Sequence, residues 1–215
     1  MLILQTLIIE VDIKNLKFCE MNLRRLFVLT ALSGFLLFAC KKEANWFSVS
    51  GKISHAEGRL LYLEELLVSS SKVIDSVRVD RDGEFKFKGQ TNMPTYYLLK
   101  LNETKFITLL VDSLEQVVVE ADIANFERDY RVKGSQGSLY VKELNDQLYN
   151  TKHKLDSLQS LINMYKGNPD YASMKVRWEE ESKRIKDKQV EYSKQFVMDN
   201  PFSMASVLAL YQKFD

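Results

Sequence analysis

The sequence predicts an α+β protein. We expect an antiparallel β-sandwich or open barrel of about eight strands at residues 46–134, then a long antiparallel helical hairpin at residues 135–200. Three observations predict this fold class. Apolar and polar residues alternate with a period of two from Phe47 onward, and after Gly134 the apolar spacing changes to steps of three and four. Glycine, proline, asparagine and aspartate separate the runs.

The β half consists of short runs bounded by turn residues, with no helical pattern between them, as in a sandwich or open barrel. Asp82-Gly83 separates two alternating runs and predicts a β-hairpin. Pro94 precedes a strand and does not interrupt one. In order, the runs are FSVSGKIS, RLLYLEEL, KVIDSVRV, EFKFKG, YYLLKLN, FITLLVD, EQVVVEAD and YRVKG.

The helical half begins with a serine, Ser135 or Ser138, that can cap a helix of about 28 residues. The segment KGNPD at residues 166–170 ends this helix, and a second one extends from about Tyr171 to Asn200. The short turn favours intramolecular pairing of the two helices over docking of a partner helix or a second copy. The apolar stripes are Val141, Leu144, Leu148, Leu155, Leu158, Ile162 and Tyr165 in the first helix, with Thr151 in the gap, and Tyr171, Met174, Trp178, Ile185, Tyr192 and Phe196 in the second.

At residues 201–215 the sequence predicts a third, apolar helix that acts as a connector. Either it folds back onto the hairpin, or it leads into a domain missing from the chain. In both cases its apolar side chains around residues 204–214 are candidates for docking a protein partner. They are Val207, Leu208, Leu210, Tyr211 and Phe214.

The N-terminal region has the pattern of a secretory signal at residues 21–39. Paired arginines in MNLRR precede the uncharged run FVLTALSGFLLFA, which is shorter than the about 20 residues of a membrane span. The run ends in LFAC, which resembles a bacterial lipobox, although Phe38 is bulkier than usual at its position. The resemblance implies lipidation of Cys40 and cleavage before it, so that acyl chains anchor the protein to a membrane.

A signal of this kind needs its charged residues near the N-terminus, and Met21 begins such a segment. We therefore interpret residues 1–20 as an over-extended start, and residues 40–45 as a tether before the sandwich. This predicts a location in the cell envelope, on its periplasmic or outer-surface side.

The composition argues against several kinds of site. Thirty basic and 29 acidic residues give a net charge of +1, which provides no broad basic field for nucleic acid. Both cysteines, Cys19 and Cys40, lie near the N-terminus, so the remainder has no thiolate metal site or Cys-x-x-Cys pair. His55 and His153 are far apart and read as surface residues. We expect no metal and no cofactor.

A family resemblance extends over roughly residues 46–212. The segments FSVSGKIS, GRLLYLEEL, VIDSVRVDRDGEFKFKG and MPTYYLLKL resemble the domain of unknown function 4369 of Bacteroidetes lipoproteins. The tail FVMDNPFSMASVLAL resembles the connector that follows it there. In many relatives this connector leads into a thioredoxin-like domain, which implies a role beside a thiol–disulfide oxidoreductase. That domain and its two cysteines have no counterpart here, so the activity is not carried over.

The sequence leaves three functional hypotheses. The first is a non-catalytic, lipid-anchored accessory or partner-binding module. The second is a lipoprotein that binds a glycan or peptide through exposed aromatic residues; its candidates are Trp46, Tyr62, Tyr96 and Tyr97. The third is a hydrolase that uses Glu64, Glu65, Asp80 or Asp82, which we expect to be solvated instead, because no nucleophile–base motif accompanies them. We expect no enzymatic activity and favour the first hypothesis.

Overall fold

The structure, a computed structural model, describes residues 45–212. Within them, eight strands and three α-helices follow one another along the chain. The strands are β1 (Trp46–Ser54), β2 (Leu60–Leu66), β3 (Ser71–Arg78), β4 (Glu84–Gln90), β5 (Thr95–Lys100), β6 (Phe106–Val111), β7 (Gln116–Asp122) and β8 (Tyr130–Lys133). The helices are α1 (Gln136–Tyr165), α2 (Tyr171–Asp199) and α3 (Ala205–Tyr211), and a 3₁₀ helix at Ile123–Asn125 precedes β8.

The strands form two four-stranded sheets, which confirms the predicted α+β fold class. Sheet A has the order β4-β1-β7-β8, and sheet B has the order β3-β2-β5-β6. All neighbouring strands are antiparallel except β1 and β7, which are parallel from Ser48 opposite Gln116 to Ser54 opposite Asp122. Alternation alone does not distinguish the two directions, because both place successive side chains on opposite faces.

The turn at Asp82-Gly83 forms as expected, but it does not join the strands of a hairpin. Asp80 accepts hydrogen bonds from the backbone N–H groups of Asp82 and Glu84, and Gly83 has a φ of +81° that favours glycine. However, β3 belongs to sheet B and β4 to sheet A. The predicted hairpin is therefore wrong: local turn chemistry specifies the turn, and burial decides which sheet each strand enters.

The space between the sheets holds the main hydrophobic core. In β4, Phe85 and Phe87 point inward while Glu84, Lys86 and Lys88 face solvent, and the central strands β1, β5 and β7 show a similar alternation. Full burial of such side chains stabilises the fold by about 1.5–3 kcal/mol each. Members of this core include Val49, Ile53, Leu61, Leu63, Leu99, Ile107, Leu109, Val117 and Val119.

The helices α1 and α2 pair with each other, as the short turn predicts. Ser135 caps α1, its side chain accepting a hydrogen bond from the Ser138 N–H at 3.1 Å. The predicted stripes are buried only in part. Val141, Leu144, Trp178 and Phe196 are buried, whereas Leu148, Leu155, Leu158, Ile162, Tyr171, Met174, Ile185 and Tyr192 are half-buried and Tyr165 is exposed. Across residues 45–212, no helix combines the length and the apolar character needed to cross a membrane.

Candidate docking surface

The short helix α3 buries its small residues and exposes its large apolar ones. Ala205, Ser206 and Ala209 are buried against the rest of the protein. Three large side chains of the helix, those of Val207, Leu210 and Tyr211, are exposed, Tyr211 at 84%, and Leu208 is half-buried. An ordinary surface helix shows the opposite distribution, with its large apolar residues toward the core. We define the α3 surface as Phe202, Met204, Val207, Leu210 and Tyr211.

The inward side of α3 rests on a second, smaller hydrophobic cluster between the helices and sheet B. Ala205 and Ala209 pack there with Val141, Leu144 and Phe196. Because these alanines have short side chains, α3 can lie close to its neighbours. Two polar contacts add to this packing: Gln212 Nε2 donates to Asn145 Oδ1 at 2.9 Å, and Ser206 Oγ donates to the Asn200 carbonyl at 2.6 Å.

A tyrosine of β5 fixes the beginning of α3. The Tyr96 hydroxyl donates to the Met204 carbonyl at 2.8 Å. Burial raises the pKa of Tyr96 to about 12, and a contact with the Leu208 backbone partly offsets this rise. The phenol is therefore neutral at physiological pH and remains a hydrogen-bond donor, so α3 is held in place.

A groove of about 410 Å³ lies beside α3 and extends the exposed apolar area. Tyr140, Phe202 and Met204 line it together with Pro94 of the β4–β5 turn. Three carboxylates, those of Asp112, Glu115 and Asp199, also line the groove. A partner of this surface would therefore need apolar side chains for the ridge and polar or basic groups for its margin.

Two serines connect the start of α1 to the edge of sheet B. The Leu110 N–H donates to Ser138 Oγ at 3.1 Å, and the Leu110 carbonyl accepts from Ser135 Oγ at 2.8 Å and Ser138 Oγ at 3.0 Å. Since β6 is an edge strand, these hydroxyls satisfy backbone groups that no further strand pairs. Gly137 permits the close approach, because a Cβ there would lie 2.8 Å from Leu110 Cγ.

The structure places most of the predicted docking residues at this surface. Val207, Leu210 and Tyr211 are exposed, Leu208 is half-buried, and Phe214 lies outside the described residues. The sequence interpretation omitted Phe202, which is fully exposed in the loop before α3. The sequence did contain a signal for Phe202: it is an aromatic residue directly after Pro201, in a loop where neither a strand nor a helix would bury it. The predicted signal segment at residues 21–39 and the lipidation site Cys40 also lie outside the described residues.

The four aromatic candidates for a ligand site do not come together. Tyr97 lies in the sandwich core with its ring 4.8 Å from that of Phe47, whereas Tyr96 contacts the start of α3. Tyr62 is half-buried on β2, and Trp46 is exposed where β1 begins. They occupy separate environments and form no shared site.

The acidic candidates are also dispersed, and Glu64 corrects one expectation. We expected it to be solvated, but it is only 6% exposed, with Ser71 Oγ donating to it at 2.6 Å and Lys100 Nζ at 3.4 Å. A register shift at Leu63/Glu64 accompanies this burial. Asp80 holds the turn before β4, Glu65 is half-buried and Asp82 is exposed. In the described part of the chain, no group of three or more His, Cys, Asp and Glu side chains is arranged to hold a metal ion.

The comparisons with known proteins assign a family to the sandwich. Residues 47–139 match the family model of a domain of unknown function, DUF4369, from β1 through the first residues of α1. No curated protein and no solved structure matches the chain.

Proposed function

From the premise that residues 47–139 carry a DUF4369 domain, we propose that the protein is a non-catalytic accessory module of the cell envelope. In this proposal Cys40 carries the lipid anchor, and the α3 surface docks a thioredoxin-like domain. The module orients its partner at the membrane and contributes no reacting group of its own.

The observation that carries this proposal is the reversed distribution of side chains on α3. Exposed apolar area costs free energy at about 25 cal/mol per Å², so a helix with large residues outward is best explained by a partner that covers them. Tyrosine and methionine are enriched at the centres of such interfaces. The Tyr96 hydroxyl and the two small alanines hold the helix rigidly, which lowers the entropic cost of binding.

The class of partner comes from the family resemblance of the sequence. The segment FVMDNPFSMASVLAL resembles the connector that precedes a thioredoxin-like domain in relatives, and in this structure the segment contains the whole α3 surface except Tyr211. Because α3 lies within this segment and packs against sheet B through Tyr96, its surface is well placed to contact a domain of the kind to which the connector leads in relatives.

Binding of a thioredoxin-like domain from a DUF4369-containing relative tests the proposal. We expect Leu210→Asp to weaken binding at least about tenfold, because it places a charge at the centre of an apolar contact. Val176→Asp is the matched control, since Val176 is a similarly exposed apolar residue on α2. Titration calorimetry gives the affinities, and circular dichroism verifies that both variants fold.

Equal affinities for the Leu210→Asp and Val176→Asp variants would contradict docking at α3. Absence of binding by the unsubstituted chain would contradict the proposed class of partner.

The alternative function, glycan or peptide binding, requires its aromatic residues to share a site. Since Trp46, Tyr62, Tyr96 and Tyr97 lie in different environments, the geometry favours the accessory module.

A further inference from the structure

We infer that the end of the sandwich at which β1 begins contacts an anionic phospholipid bilayer. This end, called the β1 end below, comprises the start of β1, the β4–β5 turn and the β6–β7 turn. The inference deepens the proposed function and rests on its lipid anchor at Cys40.

Three exposed apolar side chains lie at the β1 end, each from a different segment. Trp46 begins β1 and is 38% exposed, Met93 lies in the β4–β5 turn and is 65% exposed, and Leu114 lies in the β6–β7 turn and is 51% exposed. Backbone hydrogen bonds join the segments: the Leu114 N–H donates to the Trp46 carbonyl at 2.9 Å, and the Thr91 N–H donates to the Asn45 carbonyl at 2.8 Å. Leu114 has a φ of +68°, a left-handed turn conformation that is uncommon for leucine.

The outer face of sheet A adds positive charge directly behind these residues. The strand register places Lys88, Ser48 and Gln116 in one row across the sheet. The next row contains Lys86, Ser50, Val118 and Lys133. All three lysines are exposed, and neither row contains a carboxylate.

The positive charge is confined to the side of the face that is near the β1 end. The third row, farther from that end, alternates Glu84, Lys52, Glu120 and Arg131, so its charges cancel. One long contact links the rows, from Lys133 Nζ to Glu120 Oε1 at 3.7 Å between exposed groups. A groove of about 590 Å³ over the third row is lined by the cations Lys52, Arg78 and Lys86 and by the carboxylates Asp80, Glu84 and Glu120, so its charges cancel as well.

Two carboxylates at the β1 end belong to the β6–β7 turn. Both Asp112 and Glu115 are half-buried and accept backbone hydrogen bonds inside the turn, from the Ser113 N–H at 2.7 Å and the Asp112 N–H at 2.9 Å. They line the groove beside α3 and not the lysine face of sheet A. The positive face therefore keeps its charge.

The length of the tether places the β1 end near the anchor. Residues 40–45 can span at most about 20 Å, so a lipidated Cys40 holds Trp46 close to the bilayer surface. Tryptophan favours the boundary between headgroups and acyl chains, and lysines within a Debye length are attracted to anionic lipids. The combination of an apolar end, basic rows and a short tether favours a bilayer over a protein or a glycan as the occupant.

The test uses the full chain reconstituted into vesicles, with Trp178→Phe leaving Trp46 as the only tryptophan. Vesicles contain phosphatidylglycerol or phosphatidylcholine alone, doped with lipids brominated near the headgroup end of the acyl chain. We expect the Trp46 emission to shift to the blue and to be quenched several-fold more strongly with phosphatidylglycerol. We expect replacement of Lys86, Lys88 and Lys133 by serine to remove this preference. Each lysine should contribute a factor of about five to the equilibrium constant for contact between the β1 end and the anionic bilayer.

The matched control replaces Lys154, Lys166 and Lys186, three exposed lysines of the hairpin region, by serine. It changes the net charge equally and should leave the quenching unchanged. An equal loss of quenching in the two triple variants overturns the inference, because it would show that the net charge of the chain, and not the position of the lysines, causes the preference. Flotation of the vesicles measures separately whether the lipid anchor attaches the chain to the membrane.

A chain that floats with vesicles while Trp46 remains unquenched overturns bilayer contact and leaves the anchor standing. A chain that does not float overturns both. Equal quenching in the two kinds of vesicle contradicts the anionic specificity, and thus the inference as stated.

Discussion

The sandwich and the helical hairpin bury different kinds of side chain. Between the sheets the buried cluster consists of aliphatic and aromatic residues, with Phe87, Leu99 and Leu109 among its large members, and Glu64 of β2 is the buried carboxylate of this region. In the hairpin, the buried residues of α1 and α2 include Ser138, Thr151, Gln189 and Ser193 beside four apolar ones.

A polar layer occupies the middle of the hairpin. Thr151 Oγ1 donates to Gln189 Oε1 at 2.8 Å, and Gln189 Nε2 donates to Ser193 Oγ at 3.4 Å. Apolar contacts lie on both sides of it: Phe196 packs with Val141 and Leu144 beside the sandwich, and Trp178 packs against Tyr165 near the turn.

The difference shows where the stability of the protein originates. The sandwich is stabilised by its hydrophobic core. The half of the hairpin next to the α1–α2 turn, in contrast, has few fully buried apolar contacts. Regions of this kind open locally at a lower free energy than the rest of a domain. Four experiments measure how far the two regions differ.

The largest effect is expected in the sandwich core. Leu99→Ala should lower the free energy of unfolding by about 2–5 kcal/mol, because Leu99 is fully buried between the sheets. Leu158→Ala, at a half-buried position of α1, should cost less than half as much. Urea unfolding followed by circular dichroism compares them, and equal losses would remove the distinction between the regions.

The junction between the regions comes next. Ser138→Ala should cost about 1–3 kcal/mol, since it leaves the buried Leu110 N–H without a partner. Ser157→Ala provides the control on α1, because its hydroxyl bonds only to its own helix, at the His153 carbonyl. If the two serine variants unfold at the same urea concentration, the junction does not contribute as we describe.

A smaller, pH-dependent effect is expected at Tyr96. Burial raises the pKa of its phenol from the ordinary value of 10.0 to about 12 in the folded protein. The stability from the neutral phenol is thus complete below pH 10 and is lost as the pH rises toward 12. Tyr96→Phe should cost about 0.5–1.5 kcal/mol at neutral pH. The difference from wild type should narrow above pH 10 in urea titrations, and a constant difference would show that ionisation of Tyr96 is not coupled to folding.

The smallest effect is expected in the polar layer. Replacing both partners, as Thr151→Val with Gln189→Leu, should change the free energy of unfolding by less than about 1 kcal/mol, because donor and acceptor are removed together and only the long 3.4 Å contact to the Ser193 hydroxyl is lost besides. Gln189→Leu alone serves as the comparison, and calorimetric melting measures both. A large loss of unfolding free energy in the double variant would show that the polar layer stabilises the hairpin more than we infer from its packing.

The sequence predicted the fold well wherever one physical signal decides the structure. The period-two alternation located the strands, and Ser135 marked the start of α1 through its capping hydroxyl. The turn at Asp82-Gly83 was also predicted correctly, because local turn chemistry specifies it. Its flanking strands were assigned to one hairpin because the choice of sheet depends on long-range burial, which a local pattern does not contain.

The candidate surface was predicted only in outline. Apolar residues at 207–211 were visible in the sequence, but which of them face outward depends on the packing of Ala205 and Ala209. Glu64 was misjudged because its burial requires Ser71 and Lys100 to reach it from neighbouring strands. The basic rows of sheet A were missed since Lys86, Lys88 and Lys133 come together only through the register of β4, β1, β7 and β8.

The parallel pairing of β1 with β7 also determines when the domain can fold. β1 lies at the start of the described chain, and its partner β7 follows only after five other strands. While the chain is being made, β1 can therefore pair with β4 before it can pair with β7. Proteins dominated by contacts between distant residues fold slowly, in milliseconds to seconds. Sheet A is thus completed late, because its central strand β1 gains its second neighbour only after β7 is present.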